Sequence, residues 1–218
     1  MSEHTTLLTK SLLRYLAERT TPEDVFLKSL KHAALELDEE FPAIWIAPEQ
    51  GSFLQILLRL AGAREVIEIG TAAGYSAIWM ARALPADGHV RTIEISGKRA
   101  DFADKWVRDS DVAAKIRIFR GAAEDILPKF KDGSADVMFL DANRACYPLY
   151  LRHALRLVRT GGLILADNAF VHGALLANKP ASADAEAMRT FNEIIANETA
   201  LQSIIVPLGD GLWVAVKL

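Results

Sequence analysis

Four apolar runs of this 218-residue chain stop with a side chain bearing oxygen at or near the end. Glu68 lies near the end of Glu65-Val66-Ile67-Glu68-Ile69, and Glu94 closes Val90-Arg91-Thr92-Ile93-Glu94. Asp141 follows Val137-Met138-Phe139-Leu140, and Asp167 with Asn168 follows Leu163-Ile164-Leu165-Ala166. If these runs are parallel strands, all of the groups face one crevice at the carboxyl edge of a sheet. Gly70-Thr71-Ala72-Ala73-Gly74 follows the first run, and glycines there allow a sharp turn and a close approach of backbone to ligand. A dinucleotide fingerprint would read Gly-x-Gly-x-x-Gly, whose middle glycine admits a pyrophosphate. That glycine is missing, and Glu68 carries the wrong charge for a phosphate cradle. An acid at this tip suits a ligand with hydroxyls, an amine or a positive charge. Glu94 suits a ribose diol, which NAD and S-adenosylmethionine share. Glu68 and the missing glycine together favour S-adenosylmethionine, which has an amine and a sulfonium but no phosphate.

Asp141, Asp167 and Asn168 form a second constellation. Two carboxylates and a carboxamide make a hard, all-oxygen set that suits a divalent cation, Mg²⁺ foremost, with Mn²⁺ or Ca²⁺ as alternatives. On spacing alone the two aspartates serve equally well as caps of helices or turns. Their convergence on one end of the sheet favours the cation.

The elements that must position these groups follow from periodicity. Leu7, Leu8, Leu12, Leu13 and Leu16 predict an amphipathic first helix, and Phe26 to Leu37 a second, ending in the solvated acidic run Asp38-Glu39-Glu40. Phe41 to Ser52 reads as irregular, with Pro42 and Pro48, and Phe53 to Leu60 as a third helix. Strands are predicted at Glu65–Ile69, Val90–Ile95, Lys115–Phe119, Asp136–Leu140 and Leu163–Ala166. Helices are predicted between them at Tyr75–Leu84, Lys98–Asp109, Ala123–Phe130 and Tyr147–Val158. Such alternation implies right-handed parallel crossovers and a three-layer sandwich. After a helix at Ala183–Ala196, the runs Ser203–Val206 and Leu212–Lys217 flank Gly209-Asp210-Gly211 and read as a hairpin. The expected fold is therefore α/β and Rossmann-like. Its seven-stranded sheet is mostly parallel with an antiparallel C-terminal strand. One domain spans 1–218, a helical segment 1–62 preceding the core 63–218.

Composition narrows the function classes. Lys plus Arg is 25 and Asp plus Glu is 28, a net charge of −3, without the basic excess of a nucleic-acid binder. No uncharged apolar stretch is long enough to span a bilayer, so no membrane partner is expected. Cys146 is the sole cysteine, compatible with a reducing cytoplasm.

Glu68-Ile69-Gly70, Gly74-Tyr75-Ser76, Asp141-Ala142-Asn143-Arg144 with Tyr147, Asp167-Asn168 and Gly209-Asp210-Gly211-Leu212 together resemble the cation-dependent class I O-methyltransferases. That family includes catechol and caffeoyl-coenzyme A O-methyltransferases and their bacterial relatives. The resemblance runs from about Ile44 to the C-terminus. It implies that Ile46 and Ala47 line the methionine end of S-adenosylmethionine, and that Glu68, Gly70, Thr71 and Ser76 hold its methionine part. It implies Glu94 for the ribose hydroxyls, Ala123 for the adenine edge, and Asp141, Asp167 and Asn168 as metal ligands. Asp141 and Arg144 fall at catalytic positions. A homodimer and a small aromatic hydroxyl acceptor are implied as partners.

The chain departs from the family at Arg144, where a lysine usually serves as base, and at Asn143, where an acid is usual. A guanidinium stays protonated at ordinary pH, so Arg144 is a poor base but can hold an oxyanion by charge. His172, a few residues past Asn168, is either a contact to the acceptor or a solvated loop residue. Trp45 and Trp213 are candidates for the mouth of the site or a subunit contact. Two other functions stay open: an NAD(P)-dependent oxidoreductase on a similar sheet, and an S-adenosylmethionine-binding protein with impaired catalysis.

Overall fold

The computed structural model describes residues 6, 8–37, 44–177 and 182–218; the acidic run Asp38-Glu39-Glu40 lies outside them. Three helices come first: α1 (Lys10–Ala17), α2 (Val25–Leu37) and α3 (Pro48–Leu60). The alternating part follows as β1 (Glu65–Ile69), α4 (Tyr75–Ala81), β2 (His89–Glu94), α5 (Gly97–Arg108), β3 (Ile116–Arg120), α6 (Ala123–Ile126), β4 (Ala135–Leu140), α7 (Tyr147–Leu157) and β5 (Val158–Ala166). The chain closes with α8 (Ala183–Ala196), β6 (Leu201–Val206) and β7 (Leu212–Lys217).

The sheet has the order β3-β2-β1-β4-β5-β7-β6. The first five strands are parallel, and β7 pairs antiparallel with both β5 and β6. The order reverses between β1 and β4, which opens a crevice at their carboxyl ends. Alternation along the strands sends side chains to both faces. Val66, Val137 and Phe139 pack with Leu27, Leu54 and Ile78 of α2, α3 and α4 on one face. Ile67, Met138 and Leu140 pack with Leu151 and Phe191 of α7 and α8 on the other. Both faces being covered explains why these strands read as near-continuous apolar runs.

Several boundaries differ from expectation for identifiable reasons. Pro48 does not break structure; it opens α3 at the first helical position, where its missing N–H is no loss. Residues 48–52, expected to be irregular, are therefore helical. Strand β5 begins at Val158 rather than Leu163, and its register against β4 shifts between those two residues; the intervening Arg159-Thr160-Gly161-Gly162 reads as a turn in the sequence. The helix expected over Ala123–Phe130 is one α-turn followed by a 3₁₀ turn at Leu127–Lys129, where Pro128 cannot donate a helical hydrogen bond.

Candidate functional site

The strand ladder itself brings the acidic tips level. Asp141 N donates to Ile69 O at 3.0 Å, and Asp167 N donates to Leu140 O at 3.0 Å. Pairing thus runs one residue past β4 and one past β5, and sets Asp141 and Asp167 side by side next to the switch point. Gly70 makes this possible. Its φ is +98°, and a Cβ there would sit 1.9 Å from the Asp141 carbonyl oxygen.

A cavity of about 270 Å³ opens at these tips. Ile46, Gly70, Thr71, Ser76, Glu94, Ala123, Asp141, Arg144 and Asn168 line it, as does Trp45. The remaining expected residues, Ala47, Glu68 and Asp167, do not line it; Glu68 and Asp167 are buried. Glu94 accepts from Ala72 N through Oε2 and from Ser96 N through Oε1, both at 2.8 Å. Each oxygen keeps a lone pair for a further donor. Glu68 is fully buried; Oε1 accepts from Ser76 Oγ at 2.5 Å, and Oε2 has no hydrogen-bond partner among the described residues. Burial pushes the Glu68 carboxyl up to about 7; the Ser76 and Thr92 hydroxyls oppose this, and the charge of Glu94 adds to it.

Asp141, Asp167, Asn168 and Arg144 form one connected cluster with two residues that carried no signal in the sequence. Gln50 donates from Nε2 to Asp167 Oδ1 at 2.7 Å, while its Oε1 accepts from Ala47 N at 2.9 Å. Asn168 donates from Nδ2 to Asp141 Oδ1 at 3.1 Å. Arg144 donates from Nη2 to Asn168 Oδ1 at 2.8 Å and from Nη1 to Asp184 Oδ2 at 2.7 Å. Its Nε is buried without a partner among the described residues. Asn168 holds φ at +65°, a left-handed conformation that asparagine tolerates better than most residues. Burial raises the Asp141 carboxyl well above the usual carboxylate range, and the charges of Asp167 and Glu68 add to this. Burial likewise lifts Asp167, to about 6. Among the described residues no three His, Cys, Asp or Glu side chains gather as a metal-holding group; the oxygen set here is two carboxylates and one carboxamide.

Tyr147 is buried, and its hydroxyl donates to the carbonyl oxygens of Leu140 at 3.2 Å and Asp167 at 3.4 Å. Burial and the two neighbouring aspartates hold its phenol far above the ordinary range. The His172 side chain is 78% exposed, and its backbone N donates to Asp210 Oδ1. Trp213, a candidate for the mouth or a subunit contact, is instead buried in β7 with Nε1 donating to Asn192 Oδ1 at 2.6 Å. The reason is topological: β7 is an interior strand, so Trp213 and Ala215 meet the α8 layer while Leu212 and Val214 face the other side of the sheet.

Residues 17–218 match the profile of a family described as O-methyltransferase. A catechol O-methyltransferase from Niastella koreensis is 36% identical over 215 residues, covering 95% of this chain and 96% of that protein. Among solved structures, the Bacillus cereus O-methyltransferase in complex with SAH superposes with a TM-score of 0.86 at 31% identity, covering 95% of this chain and 97% of that one. TomG of Streptomyces achromogenes, an O-methyltransferase involved in tomaymycin synthesis and solved with SAM, gives 0.84 at 33% identity, covering 95% and 96%. The chain belongs to the O-methyltransferase family and is an S-adenosylmethionine-dependent O-methyltransferase. This membership sets aside the oxidoreductase alternative. Among the described residues no helix is long and apolar enough to cross a membrane.

Proposed function

We propose that this protein transfers the methyl group of S-adenosylmethionine to one hydroxyl of a small catechol-like aromatic, assisted by a divalent cation at Asp141, Asp167 and Asn168. The observation that carries the reading is the junction of two sites. Asp141 and Asn168 line the same cavity as Ser76 and Glu94, so an oxygen held at the former can meet a methyl group held at the latter. The catechol O-methyltransferase of Niastella koreensis supports the acceptor class. The donor set fits a hard cation: two crowded, buried carboxyls resist ionising together, and a divalent ion would supply the positive charge that lets both act as anionic oxygen ligands.

In this reading Glu94 takes the ribose hydroxyls with its remaining lone pairs, and Ala123 meets the adenine edge. Ile46, Gly70, Thr71 and Ser76 surround the methionine part, with Ala47 next to Ile46 at that end. Glu68 fixes Ser76 from behind and places a carboxyl near the ligand's positive charge. A cation bound at the oxygen set, Mg²⁺ by preference and Mn²⁺ or Ca²⁺ in its place, would make a coordinated hydroxyl easier to ionise. Arg144 takes no proton, because a guanidinium does not titrate in the working range. It acts by charge on the acceptor oxyanion. Tyr147 is excluded as base by its buried, donating hydroxyl. The chain otherwise contributes orientation, the larger part of catalysis in an in-line displacement.

The proposal extends to a cytoplasmic homodimer. The lone Cys146 supports the compartment, and the exposed Leu13, Tyr15 and Leu16 of α1 support a contact with a second copy. The test of the function is methyl transfer to catechol with EDTA, then with Mg²⁺ restored. Loss and recovery of turnover are expected. Full turnover in chelator would remove the cation, and no turnover with any diphenol would favour an impaired binding protein.

A further inference from the structure

Asn168 presents a conflict that the position of Arg144 creates. A carboxamide binds a hard cation through its oxygen. In this structure that oxygen accepts the Arg144 Nη2–H at 2.8 Å, while the amide nitrogen of the same group donates to Asp141 at 3.1 Å. Both ends of the carboxamide are engaged. The guanidinium is itself braced from the far side by Asp184, at the first turn of α8. A divalent ion on Asn168 Oδ1 would share one oxygen with a guanidinium, two positive charges held a few ångströms apart. Arg144 is 25% exposed at its side chain and Asp184 50%, so the guanidinium can leave Asn168 toward solvent while Nη1 keeps its hold on Asp184.

We propose that Arg144 is a resident competitor for the cation site: it occupies Asn168 Oδ1, and a divalent ion gains its third protein oxygen only when the guanidinium swings off that atom. Arg144 is in this sense a positioning residue that sets cation affinity. The inference rests on the cation reading above. It explains a physical difference between arginine and lysine here. The planar fork bridges Asn168 and Asp184 with two separate nitrogens, which a single ammonium on a shorter reach does not reproduce.

The experiment is equilibrium binding of Mn²⁺ to the full chain, followed by the paramagnetic resonance of the free ion. Arg144→Met keeps most of the stem and removes both donors; Arg144→Ala is the companion should either variant misfold. Mn²⁺ should bind at least about tenfold more tightly to the variants than to the native protein. The gain must depend on the freed oxygen, so in an Asn168→Ala background the same replacement should change affinity less than about threefold. Equal Mn²⁺ affinity with and without Arg144 overturns the inference and leaves the cation reading standing. A tenfold gain that survives Asn168→Ala overturns it too, since simple charge removal would then be the cause. No Mn²⁺ binding by any of the proteins overturns the inference and the cation reading together.

Discussion

Replacing Glu68 with glutamine should change how stability depends on pH. The carboxyl has an ordinary value of 4.5 and is held at about 7 in the fold, chiefly by burial. Between those values the folded protein keeps a proton that the unfolded chain releases. Stability therefore falls as pH rises through this window, and the full penalty is present above about pH 7. A shift of this size corresponds to about 3 kcal/mol in total, of which about 2.5 kcal/mol accrues between about pH 5 and pH 8. Glutamine keeps the shape and an oxygen for the Ser76 hydroxyl but does not titrate. Measured by urea denaturation without bound cofactor, Glu68→Gln should gain about 2.5 kcal/mol on the native protein across that range. In thermal melts this is a relative shift of about 5–10 °C. Comparing the two proteins cancels groups that Glu68 does not touch, such as Asp24 and Asp136, whose lowered values put their effects at more acidic pH; Asp141, which the charge of Glu68 helps to raise, is relieved by the same replacement and adds to the gain. Parallel pH profiles with a constant offset would refute the reasoning, because Glu68 would then titrate as an ordinary carboxyl.

Other outcomes follow from the same geometry. Glu94→Ala should weaken S-adenosylmethionine by about 1–3 kcal/mol in calorimetry; unchanged affinity would remove Glu94 from the ribose site. Gly70→Ala should cost at least about 3 kcal/mol in denaturant unfolding, since the new Cβ meets the Asp141 carbonyl and the backbone stays at φ +98°; a neutral variant would mean that the β1–β4 tips are not held as described. Tyr147→Phe should lose about 1–2 kcal/mol of stability with its hydrogen bonds to Leu140 and Asp167, yet leave the pH profile of turnover in place. A lost ionisation in that profile would make Tyr147 a base. Arg144→Lys should keep turnover and add a basic limb to its pH profile that the native protein lacks; identical profiles would mean that the side chain at position 144 does not meet the acceptor oxygen.

Much of the fold was legible because parallel strands covered on both faces must be apolar throughout. Val66-Ile67, Val137 to Leu140 and Leu163 to Ala166 therefore stood out, and the acids ending them marked the sheet's carboxyl edge. Local breakers misled where tertiary packing overrode them: Pro48 begins a helix, and Gly161-Gly162 lie within a strand. Partners distant in sequence were invisible. Gln50 lies 117 positions from Asp167 and Asp184 lies 40 from Arg144, and neither carries a motif. Gln50 had only its place in the first turn of α3, where its carbonyl caps Ala47 N. Arg144 was noticed as a departure from the lysine pattern, but its grip on Asn168 depends on the Asp184 brace, which folding alone supplies.

The most direct measurement of the central claim is transfer of an isotopically labelled methyl group from S-adenosylmethionine to catechol, with the product identified by mass and by fragment position. One labelled methyl on one oxygen, with product formation falling when Asp141 is replaced by asparagine, is the predicted result. Label on carbon or nitrogen of other acceptors with none on any vicinal diphenol, or undiminished transfer by Asp141→Asn, would contradict the account.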